Sequence, residues 1–213
     1  MTTDKSLLIP PLFGDGKGQY RVHIVGNAGS GKSTLGAELA VTLGVPFVNL
    51  DRIFWRPGWQ QAPVDEFRAS VEKILAECDH GWVVDGNYHA KLGDMIKTKS
   101  TDIVWLDPPL VLYFPRIFVR TIRRILGLDP QCSPECNETI REAFFSRDSI
   151  LWWCLTQHVR LRKREQENFR MDGVHVGGRY RRIGGWGSEL ESWKQSVRDM
   201  VAADASATVE QSI

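Results

Sequence analysis

Gly26-Asn27-Ala28-Gly29-Ser30-Gly31-Lys32-Ser33 matches a phosphate-binding loop at every fixed position, and its flanks fit that reading. Arg21-Val22-His23-Ile24-Val25 before it reads as a short buried strand. Thr34-Leu35-Gly36-Ala37-Glu38-Leu39-Ala40 after it carries apolar residues at helical spacing. The loop therefore joins a strand to a helix N-terminus. Glycines let successive backbone N–H groups turn toward one anion, and the positive end of the helix dipole adds to that field. Lys32 is placed to reach terminal phosphates and the Ser33 hydroxyl to ligand Mg²⁺. Gly26, Asn27, Ala28, Gly29, Ser30, Gly31, Lys32, Ser33 and Thr34 are the expected contacts to a nucleoside triphosphate, ATP, with Mg²⁺ as its companion ion.

The 213 residues suffice for one α/β domain with an insertion or lid, and a chain of this size buries roughly 70% of its unfolded surface. A formal net charge of +1 gives no general pull toward nucleic acid or a membrane. Met1 to Tyr20 holds no apolar secretory segment, and Cys78, Cys132, Cys136 and Cys154 form no paired framework. The expectation is a cytoplasmic protein with free thiols. Cys132 and Cys136 lack a second Cys/His pair at ligand spacing and read as loop thiols rather than half a zinc site.

Strands are predicted at Arg21 to Val25, Pro46 to Asn49, Trp82 to Asp85, Ile103 to Leu106 and, more weakly, Tyr180 to Ile183. Helical patterns fill the gaps at Ser33 to Thr42, Val64 to Cys78, His89 to Thr98, Leu110 to Leu126, Glu138 to Phe169 with breaks, and Glu189 to Val201. This alternation predicts a three-layer α/β fold around a five-stranded parallel sheet, with functional residues at the strand C-termini. Residues 1–19 and 204–213 read as loose tails around a domain at 20–203. Within it, 51–80 is expected to bind an acceptor and 125–172 to form a helical lid or insert.

Carboxylates follow three of these strands. Asp51 comes after Val48-Asn49-Leu50, Asp85 closes Trp82-Val83-Val84, and Asp107 closes Val104-Trp105-Leu106. A single such Asp serves equally well as a cap or turn former, but a phosphate site needs oxygen ligands for Mg²⁺ and a base for a hydroxyl. Asp85, in Asp85-Gly86-Asn87-Tyr88, is assigned to the Mg²⁺ shell with Ser33 or to the reaction centre, with Gly86 allowing a ligand close to the backbone. Asp51 is the better candidate base. It precedes Arg52-Ile53-Phe54-Trp55-Arg56-Pro57-Gly58-Trp59, read as the wall of an acceptor pocket, although the same rings would equally pack a satellite core. Asp107, before Pro108-Pro109, reads as structural.

Arg116, Arg120, Arg123 and Arg124 share one predicted helix, and spacings of three and four align them as a cationic stripe. Guanidinium groups pair well with the oxygens of a transferring phosphoryl group, which makes Arg120 and Arg124 the expected phosphate clamps. Arg160-Leu161-Arg162-Lys163-Arg164 reads as a solvated helix end. Ser188 and Glu191 are spaced as a capping box, and Trp186 suits either a base stack or a hydrophobic staple.

Gly26 to Ser33, Leu50-Asp51 with Phe54-Trp55-Arg56-Pro57-Gly58-Trp59, Val84-Asp85-Gly86-Asn87-Tyr88, and Trp105-Leu106-Asp107 with Arg116 and Arg120 together resemble small P-loop proteins related to adenylate kinase, close to bacterial proteins described as DNA topology modulation proteins. The resemblance spans Tyr20 to Arg124 well and the remainder loosely. It implies a nucleoside-monophosphate-kinase-like core with an acceptor region and an arginine-bearing lid. Adenylate kinases continue Asp-Gly with Pro-Arg, whereas Asn87-Tyr88 stands here, so an AMP-phosphate arginine is missing. The function expected is an ATP- and Mg²⁺-dependent phosphotransferase acting on a small acceptor, a nucleotide or hydroxylated metabolite. Lys32, Asp51, Asp85, Arg120 and Arg124 would be catalytic, and Asp51, Arg56, Trp59, Asn87, Tyr88 and Arg116 would bind the acceptor. The alternatives are a nucleotide-regulated nucleic-acid-binding protein and an NTP-hydrolysing switch.

Overall fold

Two stretches, Gly81–Asp85 and Asp102–Leu106, are buried at every residue, which is the signature of central parallel strands covered on both faces. In the computed structural model, which describes residues 9–131, 133–136 and 150–210, they flank β1 (Tyr20–Gly26). The other elements are α1 (Lys32–Leu43), β2 (Phe47–Asn49), α2 (Leu50–Phe54), β3 (Trp55–Arg56), β4 (Gln60–Gln61), α3 (Val64–Ala76), β5 (Gly81–Asp85), α4 (His89–Leu92), α5 (Met95–Lys99), β6 (Asp102–Leu106), α6 (Leu110–Ile125), α7 (Ile150–Asp172), β7 (Tyr180–Ile183) and α8 (Ser188–Glu210). The main sheet is parallel throughout, in the order β2-β5-β1-β6-β7. All five predicted strands are present.

Side chains alternate across the sheet. Val22, Ile24, Val83, Val104 and Leu106 meet α1 and the α8 residues Trp193 and Val197 on one face. On the other, Trp82 and Val84 pack on α3 to α5, while Val25, Ile103 and Trp105 pack toward Phe169 of α7. These are the three layers read from the sequence. Strand order puts the ends of β2, β5 and β1 side by side, with Asn49 and Ile24 both in register with Asp85.

Local structure departs from expectation in several places. The predicted helix from His89 to Thr98 is two short helices, interrupted where Gly93 adopts φ 58°. The segment after β2 forms α2 and a two-stranded hairpin, β3-β4, joined by a 3₁₀ turn at Pro57–Trp59. The capping box does not form, because α8 begins at Ser188 itself; Glu189 accepts the Gly184 N–H at 2.7 Å and Glu191 pairs with Lys194. Trp186 stays 70% exposed, so it is not a staple. Cys132 and most of the 125–172 insert before α7 lie outside the described residues, while Cys78, Cys136 and Cys154 are free thiols.

The N-terminal segment is bound rather than loose from residue 9 onward. Leu12 lies in the core, and the Phe13 and Gly14 N–H groups donate to the Asp102 carboxylate at 2.8 and 3.0 Å. Arg181, in the weakest predicted strand, is fully buried; it pairs with Asp102 at 2.7 Å and donates to the carbonyls of Pro10 and Pro11. At the other end, α8 continues past residue 203, and Asp204 accepts from the Tyr20 hydroxyl at 2.8 Å. Removing one partner of a buried ion pair strands the other, at about 3–5 kcal/mol. Arg181→Met is therefore expected to lower stability by about that amount in urea denaturation; a loss below about 1 kcal/mol, the scale of an exposed pair, would contradict this account.

Candidate functional site

The phosphate loop is shaped by what lies beneath it. Gly29 adopts φ 75°, and a Cβ there would stand 2.2 Å from Ile117 Cγ1 on α6, so only glycine lets the loop sit on that helix. α1 then starts at Lys32, behind Gly31, so its free N–H groups face the loop. The loop is gripped from both sides. Asn87 accepts from the Gly26 N–H at 3.1 Å and donates to the Gly26 carbonyl. Asn27 donates to the Tyr113 hydroxyl at 2.8 Å and to the Cys154 carbonyl at 3.2 Å, linking the loop to α6 and α7. The Tyr113 hydroxyl in turn lies 2.5 Å from His158 Nδ1.

Asp85 lies beside the loop at the end of β5 and is 3% exposed. Its Oδ2 accepts from the Ser33 hydroxyl at 2.5 Å and from the Asn49 amide at 3.2 Å. Its Oδ1 is buried with no hydrogen-bond partner among the described residues, and the same holds for the loop hydroxyl of Ser30. Burial is the main cause of a carboxyl pKa raised above the ordinary 3.8; the Lys32 charge and the Ser33 hydrogen bond pull it down, and Asp51 pushes it up. Lys32 is half-buried and donates to the Asn27 carbonyl at 2.8 Å. Desolvation depresses its pKa, against the opposing pull of Asp85 and Asp51 and with help from Arg120. Lys32, Asp51, Asp85 and Arg120 thus share one electrostatic neighbourhood.

Asp51 sits on α2, which Asn49 caps by accepting the Asp51 and Arg52 N–H groups at 3.0 and 3.3 Å. The Tyr88 hydroxyl donates to Asp51 Oδ1 at 2.6 Å, and the Tyr88 ring packs on Phe54 and Phe67. Phe54 is therefore a core ring, as the satellite-core reading allowed. Gly86 has φ 144°, and a Cβ there would meet Leu50 Cβ at 2.9 Å, so glycine is required for the packing of this turn on α2.

The remaining sequence candidates lie on the hairpin and on α6. Arg56 pairs with Glu66 of α3, and Trp59 lies edge-on to Trp55 in the hairpin, 5.4 Å between ring centroids. Arg116 is exposed on α6, and Arg124 Nε donates to the Pro130 carbonyl. Asp107 is structural, accepting Arg162 of α7 and Arg182 of β7 at 3.2 and 2.6 Å. The basic run at 160–164 is not a solvated helix end: α7 continues to Asp172, Arg162 holds Asp107, and Arg164 holds the buried Glu165. Asn49, Tyr113 and His158 were not singled out from sequence. Asn49 carried a usable signal, a cap-forming residue type at the end of a predicted strand; the other two look like ordinary helix residues.

A carboxylate with one orphaned oxygen, beside a serine hydroxyl at the foot of a phosphate loop, is a hard-oxygen donor set that fits Mg²⁺. Among the described residues no three carboxylate, imidazole or thiol groups converge as a metal cage, so such an ion would complete its shell with phosphate and water oxygens.

No protein-family model matches this chain, and no curated protein matches it in sequence. Solved structures do resemble it. The shikimate kinase from Acinetobacter baumannii in complex with shikimate aligns with a TM-score of 0.51 at 14% identity, over 87% of this chain and 94% of that one. A gluconokinase from Sinorhizobium meliloti 1021 aligns at 0.49 and 19% identity, over 91% and 98%. A shikimate kinase from Bacteroides thetaiotaomicron aligns at 0.44 and 18%, over 86% and 98%. The first of these likenesses agrees with the sheet order and loop in assigning the α/β P-loop kinase fold. No helix among the described residues is long and apolar enough to cross a membrane.

The raised pKa of Asp85 has a consequence for stability. As pH rises above the ordinary value of 3.8 the unfolded chain ionises first, so folding is progressively disfavoured up to the raised folded value, and the full cost remains above it. In metal-free buffer at pH 7, Asp85→Asn is expected to melt at a higher temperature than the parent, with the gap closing near pH 4. An equal or lower melting temperature at pH 7 would contradict the desolvated carboxylate.

Proposed function

We propose that this chain transfers the terminal phosphoryl group of ATP to a hydroxyl of a small-molecule acceptor. The observation that carries the reading is the second carboxylate: Asp51, on α2 just past β2, acts on the same lysine as Asp85 and is held by Tyr88. A site that only grips a nucleotide has no use for it.

Each residue then has a physical task. The loop N–H groups and Lys32 bind the phosphates, Lys32 leaving the Asn27 carbonyl for a stronger, charge-assisted partner. Ser33 and Asp85 would hold Mg²⁺, which when bound offsets phosphate charge and fixes phosphate orientation. Arg120 stabilises charge on the transferring group. Asp51 accepts the acceptor's hydroxyl proton, and Tyr88 keeps its carboxylate aimed. Asn87 keeps the loop in register with β5 through Gly26. Arg124 assists from the end of α6, while Arg56, Trp59 and Arg116 belong to the acceptor side. The fold likeness to a kinase solved with shikimate supports a small hydroxylated acceptor. A nucleic-acid role has less support, since Arg162 and Arg164 are engaged by Asp107 and Glu165.

The test is ADP release from ATP and Mg²⁺ across a panel of small hydroxylated carboxylates, sugars and nucleotides. One acceptor class should raise turnover well above the background. Asp51→Asn should then lower kcat by ~10²–10⁴ with KM for ATP little changed, and Lys32→Ala should abolish turnover. A panel that never lifts the background, or an Asp51→Asn enzyme of parental kcat, would refute the proposal.

A further inference from the structure

Behind the phosphate loop, on the α7 face of the sheet, lies a small cleft of about 40 Å³ whose polar walls include His23, His89, Lys97, Arg164, Glu165 and Asn168. The proposed transfer reaction does not use it. Its one carboxylate is saturated. Glu165 is 2% exposed; its Oε1 accepts two bonds from Arg164 at 2.8 and 2.7 Å, and its Oε2 accepts from Tyr180 at 2.5 Å and Asn168 at 3.2 Å. Glu165 therefore orients the wall and leaves no lone pair for a ligand.

The cations are less fully engaged. The Lys97 ammonium is half-buried, lies 5.9 Å from the centroid of the Tyr180 ring and makes one long bond, 3.4 Å to Asn168 Oδ1, which leaves N–H donors for an incoming group. Arg164 spends Nε and Nη2 on Glu165. The imidazoles add acceptors. His23 Nε2 lies 2.9 Å from the Gly86 carbonyl, which can only accept, so Nε2 carries the proton and Nδ1 of the neutral ring is an acceptor. His89, at the exposed rim, turns Nδ1 to the Gly93 carbonyl at 3.1 Å and the Asp94 carboxylate at 3.6 Å, so its Nε2 is the atom left for a ligand. Cationic donors beside imidazole acceptors match an oxyanion that also bears an O–H.

The cleft also touches the machinery of the loop. Asn87, in its wall, bonds both the N–H and the carbonyl of Gly26, and His23 holds the carbonyl of Gly86, next to Asp85. We infer that this cleft is a second anion site, taking a small protonated oxyanion and coupled to the phosphate loop through Asn87. Two sources share that chemistry: an anionic group of the acceptor, or a free oxyanion such as inorganic phosphate.

The probe is inorganic phosphate, titrated at constant ionic strength into protein saturated with Mg²⁺ and a non-hydrolysable ATP analogue, so that the phosphate loop is already filled. The side-chain NMR resonances of His23 and His89 should shift and saturate. Lys97→Met should weaken this binding about tenfold or more, Lys97→Arg should restore it, and nucleotide affinity should hold in both. A shift that never saturates, or Lys97→Met binding as tightly as the parent, overturns the site. Kinetics then assign the source. Phosphate that raises only the acceptor's KM places the acceptor's own anion in the cleft, and phosphate that alters kcat at saturating acceptor makes the free oxyanion an effector. The binding arm needs no turnover, so it stands or falls separately from the proposed transfer reaction.

Discussion

A carboxylate placed where water cannot reach it must be satisfied by the protein or by something the protein binds. Asp85 is half satisfied: one oxygen takes the Ser33 hydroxyl and the Asn49 amide, while the other is buried without a partner. That arrangement ties two strand ends to the first turn of α1. Ser33 belongs to the first turn after β1, Asn49 ends β2 and caps the helix bearing Asp51, and Asp85 ends β5. The core beneath is continuous and apolar, so the remaining polar demand is concentrated where the strands stop. A site of this kind trades folding stability for binding capacity.

The loop above Asp85 is held as a bridge between layers. Asn87 fixes its first residue to β5, and Asn27 fixes its second to α6 and α7 through Tyr113 and Cys154. Segment 133–136 reaches across to the β3-β4 hairpin: Ser133 donates to the Trp55 carbonyl at 2.8 Å, Cys136 to that of Arg56, and Gly58 donates to the Glu135 carbonyl at 3.1 Å. The chain following α6 and the hairpin therefore form one hydrogen-bonded unit, and separating them costs these bonds together. The hairpin's aromatic rings are positioned by this contact as well as by the core.

Much of the fold was legible because parallel strands buried on both faces advertise themselves, as Trp82-Val83-Val84 and Ile103-Val104-Trp105 do. The loop was legible because its glycines, lysine and serine are fixed by backbone shape and phosphate chemistry. Arg181 was not, since an arginine reads as surface unless the distant Asp102 and the Pro10-Pro11 carbonyls are known to await it. Arg56 was read from its aromatic, arginine-rich segment and Arg124 from helical spacing, and neither pattern announces their local partners, Glu66 and the Pro130 carbonyl. Arg120 is the stripe member that tertiary packing brings into the field of Lys32 and Asp85. Asn27 was read only as a nucleotide contact, because the partners that tie it to α6 and α7, Tyr113 and Cys154, are remote in sequence.

The central claim is that Ser33 and Asp85 mark the place where a divalent ion and the terminal phosphates of a nucleotide meet, facing Asp51. A crystal structure with Mn²⁺ and a non-hydrolysable ATP analogue, phased to show anomalous scattering from manganese, tests it most directly. The account predicts a manganese peak bonded to Ser33 Oγ, with Asp85 bound directly or through one water, and the γ-phosphate on the side of Asp51. A peak elsewhere, or phosphates lying outside the Gly26 to Ser33 loop, would contradict it.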